Sequence, residues 1–136
     1  MSTAGRPLSL LERNKQLVVH WFEEVWNRGN RNTISELLHD DGILHDGAHT
    51  FRGPHEFSVF YDDLHAQFDN FHIAPVVVLA EDDLVCVHWS ADMRHKPSGR
   101  PIRITGTSVV RVEAGRFVEA WQNWDAAGVE AQLAAQ

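Results

Sequence analysis

Apolar positions along the chain recur first at a helical period and then at a strand period, with the change near Phe71. Leu10, Leu11, Leu17, Val18, Trp21, Phe22, Val25 and Trp26 form the stripe of an amphipathic helix, which Asn27-Arg28-Gly29 ends. Ser9 and Glu12 have the spacing of a capping box, so this helix starts at a defined point. Thr33 and Glu36 have the same spacing and predict a short second helix that buries Ile34, Leu37 and Leu38 and ends around His39-Asp40. Residues 42–46 read as a short strand broken by Gly47. Pro54 suits the first turn of a third helix, followed at helical spacing by Phe57, Phe60, Tyr61, Leu64 and Phe68.

Beyond Phe71 the pattern is that of a sheet. Residues 71–80 are apolar at both parities, as in a strand covered on both faces, while Pro75 requires an edge or a bulge. Turn signals at Asp82-Asp83, Pro97-Ser98-Gly99 and Glu113-Ala114-Gly115 separate further strands over 84–95, 102–112 and 117–125. Residues 126–135 have helical propensity. Helices followed by grouped strands imply an α+β fold. The expectation is a cone-shaped barrel, a curved antiparallel sheet with three N-terminal helices packed on its concave face.

Composition narrows the partners. A chain of 136 residues suffices for one domain, taken as 1–136 with 1–8 as a flexible tail, and 43% hydrophobic with 23% charged residues is an ordinary globular balance. The net charge of −7 argues against nucleic acid and anionic membranes as partners. Cys86 is the one cysteine, so no intrachain disulfide can form. The N-terminus has no signal-peptide core and no run reaches the length of a membrane span, which makes a cytoplasmic location the expectation.

Several segments then carry a family likeness: Glu24-Val25-Trp26-Asn27-Arg28-Gly29-Asn30, Leu44-His45-Asp46, Phe51-Arg52-Gly53-Pro54, Leu84-Val85-Cys86-Val87-His88-Trp89, Pro97-Ser98-Gly99-Arg100, and the run from Val110 through Gly115 to Trp121 that leads into Asp125. In order and spacing the chain resembles the SnoaL-like polyketide cyclases of the nuclear-transport-factor-2-like superfamily. The resemblance implies a conical α+β barrel with a pocket that uses no cofactor, a homodimer through the outer sheet face, and an acidic residue that serves as acid and base in an intramolecular aldol closure. Asp125 occupies the position of that residue. The wider superfamily also holds isomerases, dehydratases, epoxide hydrolases and members that only bind, so the resemblance implies a pocket more firmly than a reaction.

Strand alternation sorts the candidate side chains. In an unbulged last strand, Phe117, Glu119, Trp121, Asn123 and Asp125 share one face. At about 3.3 Å per residue, Glu119 lies about 20 Å from Asp125, too far for a carboxylate pair. Asp125 is the expected base, although Asp also suits the N-cap of the last helix. His88, polar in the middle of an apolar strand, is its expected partner, against a core or dimer-face position. Of His45 and Asp46 alternation sends only one inward; His45 is favoured, and Asp46 before Gly47 reads as a turn residue. Trp26, Tyr61 and Trp121 complete the substrate-binding set, suited to a polycyclic or aromatic ligand. His39, Asp40, His45, Asp46 and His49 are ligand types, but their spacing gives no coordination sphere, so no metal is expected. Asp92, Arg94 and Asp125 supply the residue types for an epoxide-hydrolase-like site, and Arg94, Arg103 and Arg111 otherwise suit cross-strand ion pairs. The leading expectation is an acid/base enzyme acting on a small carbonyl compound; the alternative is a non-catalytic small-molecule-binding or dimerisation module.

Overall fold

The computed structural model describes residues 8–135; the expected tail lies outside that range except for Leu8. Helix α1, Leu10–Trp21, begins where Ser9 accepts the Glu12 amide at 3.2 Å, and it continues as a π-helical segment, Phe22–Asn27. The wider π turn closes with Arg28 N–H donating to Glu23 O at 2.9 Å. It lets Trp21, Phe22, Val25 and Trp26 all point into the core. Helix α2, Asn32–Leu37, lacks the expected cap: Thr33 lies inside the helix and is buried. Helix α3, Gly53–Gln67, starts at Gly53 with φ +76°, where a Cβ would meet Asp40 O, and buries Phe57 and Tyr61.

The strands are β1 (Leu38–Asp46), β2 (His49–Arg52), β3 (Phe68–Glu81), β4 (Leu84–His95), β5 (Pro101–Glu113) and β6 (Arg116–Trp124), in the sheet order β2-β1-β6-β5-β4-β3. The α+β expectation holds, with two adjustments. The sheet curves without closing, since β2 and β3 remain edges, and β1 pairs with β6 in parallel while every other pair is antiparallel. Pro75 is accommodated both ways: β3 is an edge strand, and its register shifts between Pro75 and Val77. Helix α4, Ala126–Ala134, follows β6 after the single residue Asp125.

The core lies between the helices and the inner sheet face, where Val18, Val25, Ile34, Leu38, Val85 and Val87 are almost fully enclosed. Each such side chain contributes about 1.5–3 kcal/mol through burial. Aromatic rings bind the helices together: Trp21 and Phe57 lie 5.3 Å apart, Trp26 and Tyr61 5.2 Å. Two amide side chains do the work of a missing neighbour strand. Asn27 donates to Ile73 O at 2.9 Å and accepts Ile73 N–H at 2.6 Å, pinning the π segment to edge strand β3. Gln132 makes the same pair with Arg103, at 2.9 Å from its N–H and 2.8 Å to its O, where β5 runs past the end of β6. Among the described residues no helix is long and apolar enough to cross a membrane.

Candidate functional site

The site is set by which face each strand turns inward. On β6 the register shifts between Arg111 and Val112, so Val118 is an extra residue without a partner on β5. Phe117 faces the core, and beyond the bulge Ala120, Gln122 and Trp124 take the inward positions instead of Trp121 and Asn123, while Glu119 also borders the smaller cavity described below. On β1, pairing sets Leu44 beside Ala120 and Asp46 beside Gln122, so Leu44 and Asp46 share this inner face.

Two adjoining cavities lie between sheet and helices. The smaller, about 40 Å³, is bordered by Trp21, Phe57, Leu44, Asp46 and Ser108. The larger, about 250 Å³, is bordered by Trp89, Met93, Ile104, Trp124 and the α4 residues Val129 and Leu133. Phe22, Trp26, Phe60 and Gln122 border both. Among the described residues no Lys or Arg side chain lines either chamber.

Into this apolar interior the sheet projects a short polar row. Trp89 donates its indole N–H to Ser108 Oγ at 3.0 Å, and the Ser108 hydroxyl donates to Gln122 Oε1 at 3.5 Å. Trp124 donates its indole N–H to Asp46 Oδ1 at 2.9 Å. Asp46 is half-buried, and that desolvation raises its pKa above the ordinary 3.8, against the opposing effects of the Trp124 bond and nearby His49. Trp89 can lie across β5 because Gly106 has no side chain: a Cβ there would come within 2.7 Å of Asn123 O and against the Trp89 ring.

The expected site residues divide. Trp26 borders both chambers. Asp125 does not enter either chamber: it is exposed, and its Oδ1 accepts the Gly128 amide at 2.9 Å as the N-cap of α4, the use to which a carboxylate before a helix is best suited. His88 is exposed on the outer sheet face, its Nδ1 3.2 Å from Thr107 Oγ1, because Val87 and Trp89 take the inward positions. His45 borders the smaller cavity, but its Nε2 is held 2.8 Å from Glu119 Oε2 and its ring stacks on Trp121 at 5.6 Å. The bulge at Val118 turns Trp121 away from both chambers. Tyr61 is core: its hydroxyl donates to Val25 O at 2.8 Å, and burial raises its pKa.

The residue types for an epoxide-hydrolase-like site do not converge. Asp92 is paired with Arg103 at 2.8 Å and Arg94 with Asp69 at 2.6 Å, while Arg111 reaches Asp83 at 2.8 Å. Among the described residues no group of three His, Cys, Asp or Glu side chains is placed to hold a metal ion. Alternation favours His45 over Asp46 and does not single out Ser108 or Gln122, whereas the structure brings Asp46, Ser108 and Gln122 to the cavity wall. The available signal was Gln122-x-Trp124, a polar and an aromatic residue two apart on the last strand.

A sequence model of the SnoaL-like domain matches residues 18–120. No curated protein matches the sequence. Among solved structures, a candidate SnoaL-like polyketide cyclase from Jannaschia sp. CCS1 superposes with a TM-score of 0.86 at 19% identity, covering 97% of this chain and 99% of that one. IdmH, a candidate polyketide cyclase from Streptomyces antibioticus, gives 0.80 at 24%, covering 90% and 99%. A protein with a ketosteroid isomerase-like fold from Catenulispora acidiphila DSM 44928, in complex with trimethylamine, gives 0.78 at 20%, covering 86% and 91%. At these identities the likeness is one of fold.

Proposed function

The chain belongs to the SnoaL-like domain family, and on that premise we propose that it is an acid/base enzyme that needs no cofactor and acts on a small carbonyl compound, with Asp46 as the proton-transferring group. The observation that carries this reading is the half-buried Asp46 carboxylate, held by Trp124 at the border of an apolar chamber with its pKa raised by desolvation. A base of raised pKa is better matched to carbon acids at neutral pH than an ordinary carboxylate.

Asp46 Oδ2, the oxygen not bonded to Trp124, takes a proton from the carbon beside a carbonyl, and the electron pair moves to the carbonyl oxygen. In an intramolecular aldol closure the resulting enolate carbon attacks a second carbonyl of the same molecule. The new alkoxide then recovers the proton from Asp46, so a C–C bond forms with nothing gained or lost. In an isomerisation the proton returns to a different carbon instead. Positioned proton transfer contributes about 10² to 10⁴ in rate, and holding the folded substrate in one pose contributes further.

A second reading, a non-catalytic binder of polycyclic or aromatic molecules, is favoured by the larger chamber, which is lined almost wholly by apolar side chains. The two readings separate in one experiment: neutral carbonyl compounds are incubated with the protein in D₂O and followed by NMR. Exchange of the proton beside the carbonyl above the uncatalysed rate supports the enzyme; tight binding without exchange supports the binder. The outer sheet face, where Val77 and Leu79 are exposed beside His88 and Cys86, supports a homodimer.

A further inference from the structure

We infer that Gln122 is the hydrogen-bond donor to the substrate's carbonyl oxygen, that Trp89 and Ser108 hold its amide in the donating orientation, and that the site takes neutral carbonyl compounds and rejects anionic ones. The inference rests on the reading of Asp46 as the base. Gln122 is one of the residues shared by the two chambers and is the pairing neighbour of Asp46 across β6 and β1. A carbonyl lying between the chambers meets the Gln122 amide at its oxygen and Asp46 at the adjacent carbon. The apolar body of the molecule then occupies the 250 Å³ chamber under α4.

The amide could in principle present either its oxygen or its nitrogen to a ligand, and the neighbouring hydrogen bonds decide. Trp89 Nε1 is a donor only, so it occupies a lone pair of Ser108 Oγ at 3.0 Å. Ser108 is 4% exposed, and its hydroxyl proton needs an acceptor. Among the described residues that acceptor is Gln122 Oε1, at 3.5 Å. Flipping the amide would leave a buried hydroxyl proton facing an NH₂ group, a costly arrangement. With Oε1 turned to Ser108, the Gln122 Nε2 protons are left to the cavity, where the developing enolate oxygen needs them.

Charge selection follows from the same walls. The smaller chamber is bordered by two carboxylates, Asp46 and Glu119, and by His45, whose Nε2 is engaged by Glu119 at 2.8 Å; among the described residues no Lys or Arg lines either chamber. A ligand carboxylate or phosphate would there be desolvated beside a like charge. The trait predicts that any acidic group on the natural substrate is masked, as an ester, amide or thioester, by the reaction that supplies it.

The test uses acetophenone as a non-cyclising neutral probe and para-acetylbenzoate as its anionic counterpart, with infrared detection of the ketone C=O stretch. The C=O band of acetophenone shifts to lower frequency on binding the wild type. That shift is lost in Gln122→Leu, diminished in Ser108→Ala and restored in Ser108→Thr, and it persists in Asp46→Asn. Para-acetylbenzoate binds at least about tenfold more weakly, the equivalent of one unit of pKa-scale electrostatics. In α-proton exchange Gln122→Leu loses about 10² to 10³ in rate, the usual effect of removing an oxyanion donor. Should Gln122→Leu fail to fold, the Ser108 pair carries the test. An unchanged band in these variants, equal binding of the two probes, or no binding of acetophenone overturns the inference. A shift dependent on Gln122 without any α-proton exchange would instead sink the catalytic role of Asp46 and leave the donor assignment standing.

Discussion

Trp124 Nε1 donates to Asp46 Oδ1 across 2.9 Å, joining the last inward side chain of β6 to the last residue of β1. The bond opposes the burial that raises the Asp46 pKa. Trp124→Phe removes the donor and leaves the ring, so the acid limb of the activity profile moves to higher pH. Rate–pH profiles of α-proton exchange in the two proteins measure the displacement. A half-buried carboxylate that loses a partner costs about 1 kcal/mol, so a lowered denaturation midpoint accompanies the shift.

Stability carries the same sign information. A carboxyl whose folded pKa lies above its unfolded value binds its proton more tightly when folded, so its favourable contribution is complete below 3.8 and is lost as pH rises through the folded pKa. Asp46→Asn removes that dependence. Relative to wild type, the melting temperature of the variant is therefore higher at about pH 7.5 than at about pH 4, a difference that paired thermal melts at the two pH values resolve.

Gly106→Ala introduces a Cβ against the Trp89 ring and within 2.7 Å of Asn123 O. Either Trp89 or the β5–β6 ladder must shift, at about 1–3 kcal/mol. Urea denaturation measures the loss. Because Trp89 anchors Ser108, the acetophenone C=O shift also diminishes in this variant.

Asn27→Ala breaks both hydrogen bonds to Ile73 and leaves the edge strand's backbone groups half-satisfied. The expected cost is about 1–3 kcal/mol in denaturation, and amide exchange accelerates in β3 before it does in β4. Asp62→Ala, which breaks an exposed ion pair to Arg31, changes stability by no more than about 1 kcal/mol.

Much of the fold was legible because it rests on local signals. The Ser9 cap, Pro54 in the first turn of α3 and the turns after β3, β4 and β5 all depend on neighbouring residues. What escaped was non-local. Strand β2 is four residues long and has no apolar alternation of its own; its evidence is its pairing with β1, Leu44 opposite Phe51 and Asp46 opposite His49. The parallel pairing of β1 with β6 joins segments far apart in the chain. At the site, one extra residue, Val118, inverted the faces of everything after it, exchanging Trp121 for Gln122 and Trp124. Gly47 makes Asp46 look like a turn residue, yet Asp46 is the final residue of β1.

The central claim is that Asp46 moves the proton and Asp125 does not. Its most direct test is deuterium incorporation beside the carbonyl of a bound ketone in D₂O, measured by NMR for wild type, Asp46→Asn and Asp125→Asn, each first shown folded by circular dichroism. The account predicts exchange by wild type and Asp125→Asn, with a loss of about 10² to 10⁴ in Asp46→Asn. Retained exchange in Asp46→Asn together with its loss in a folded Asp125→Asn would contradict it.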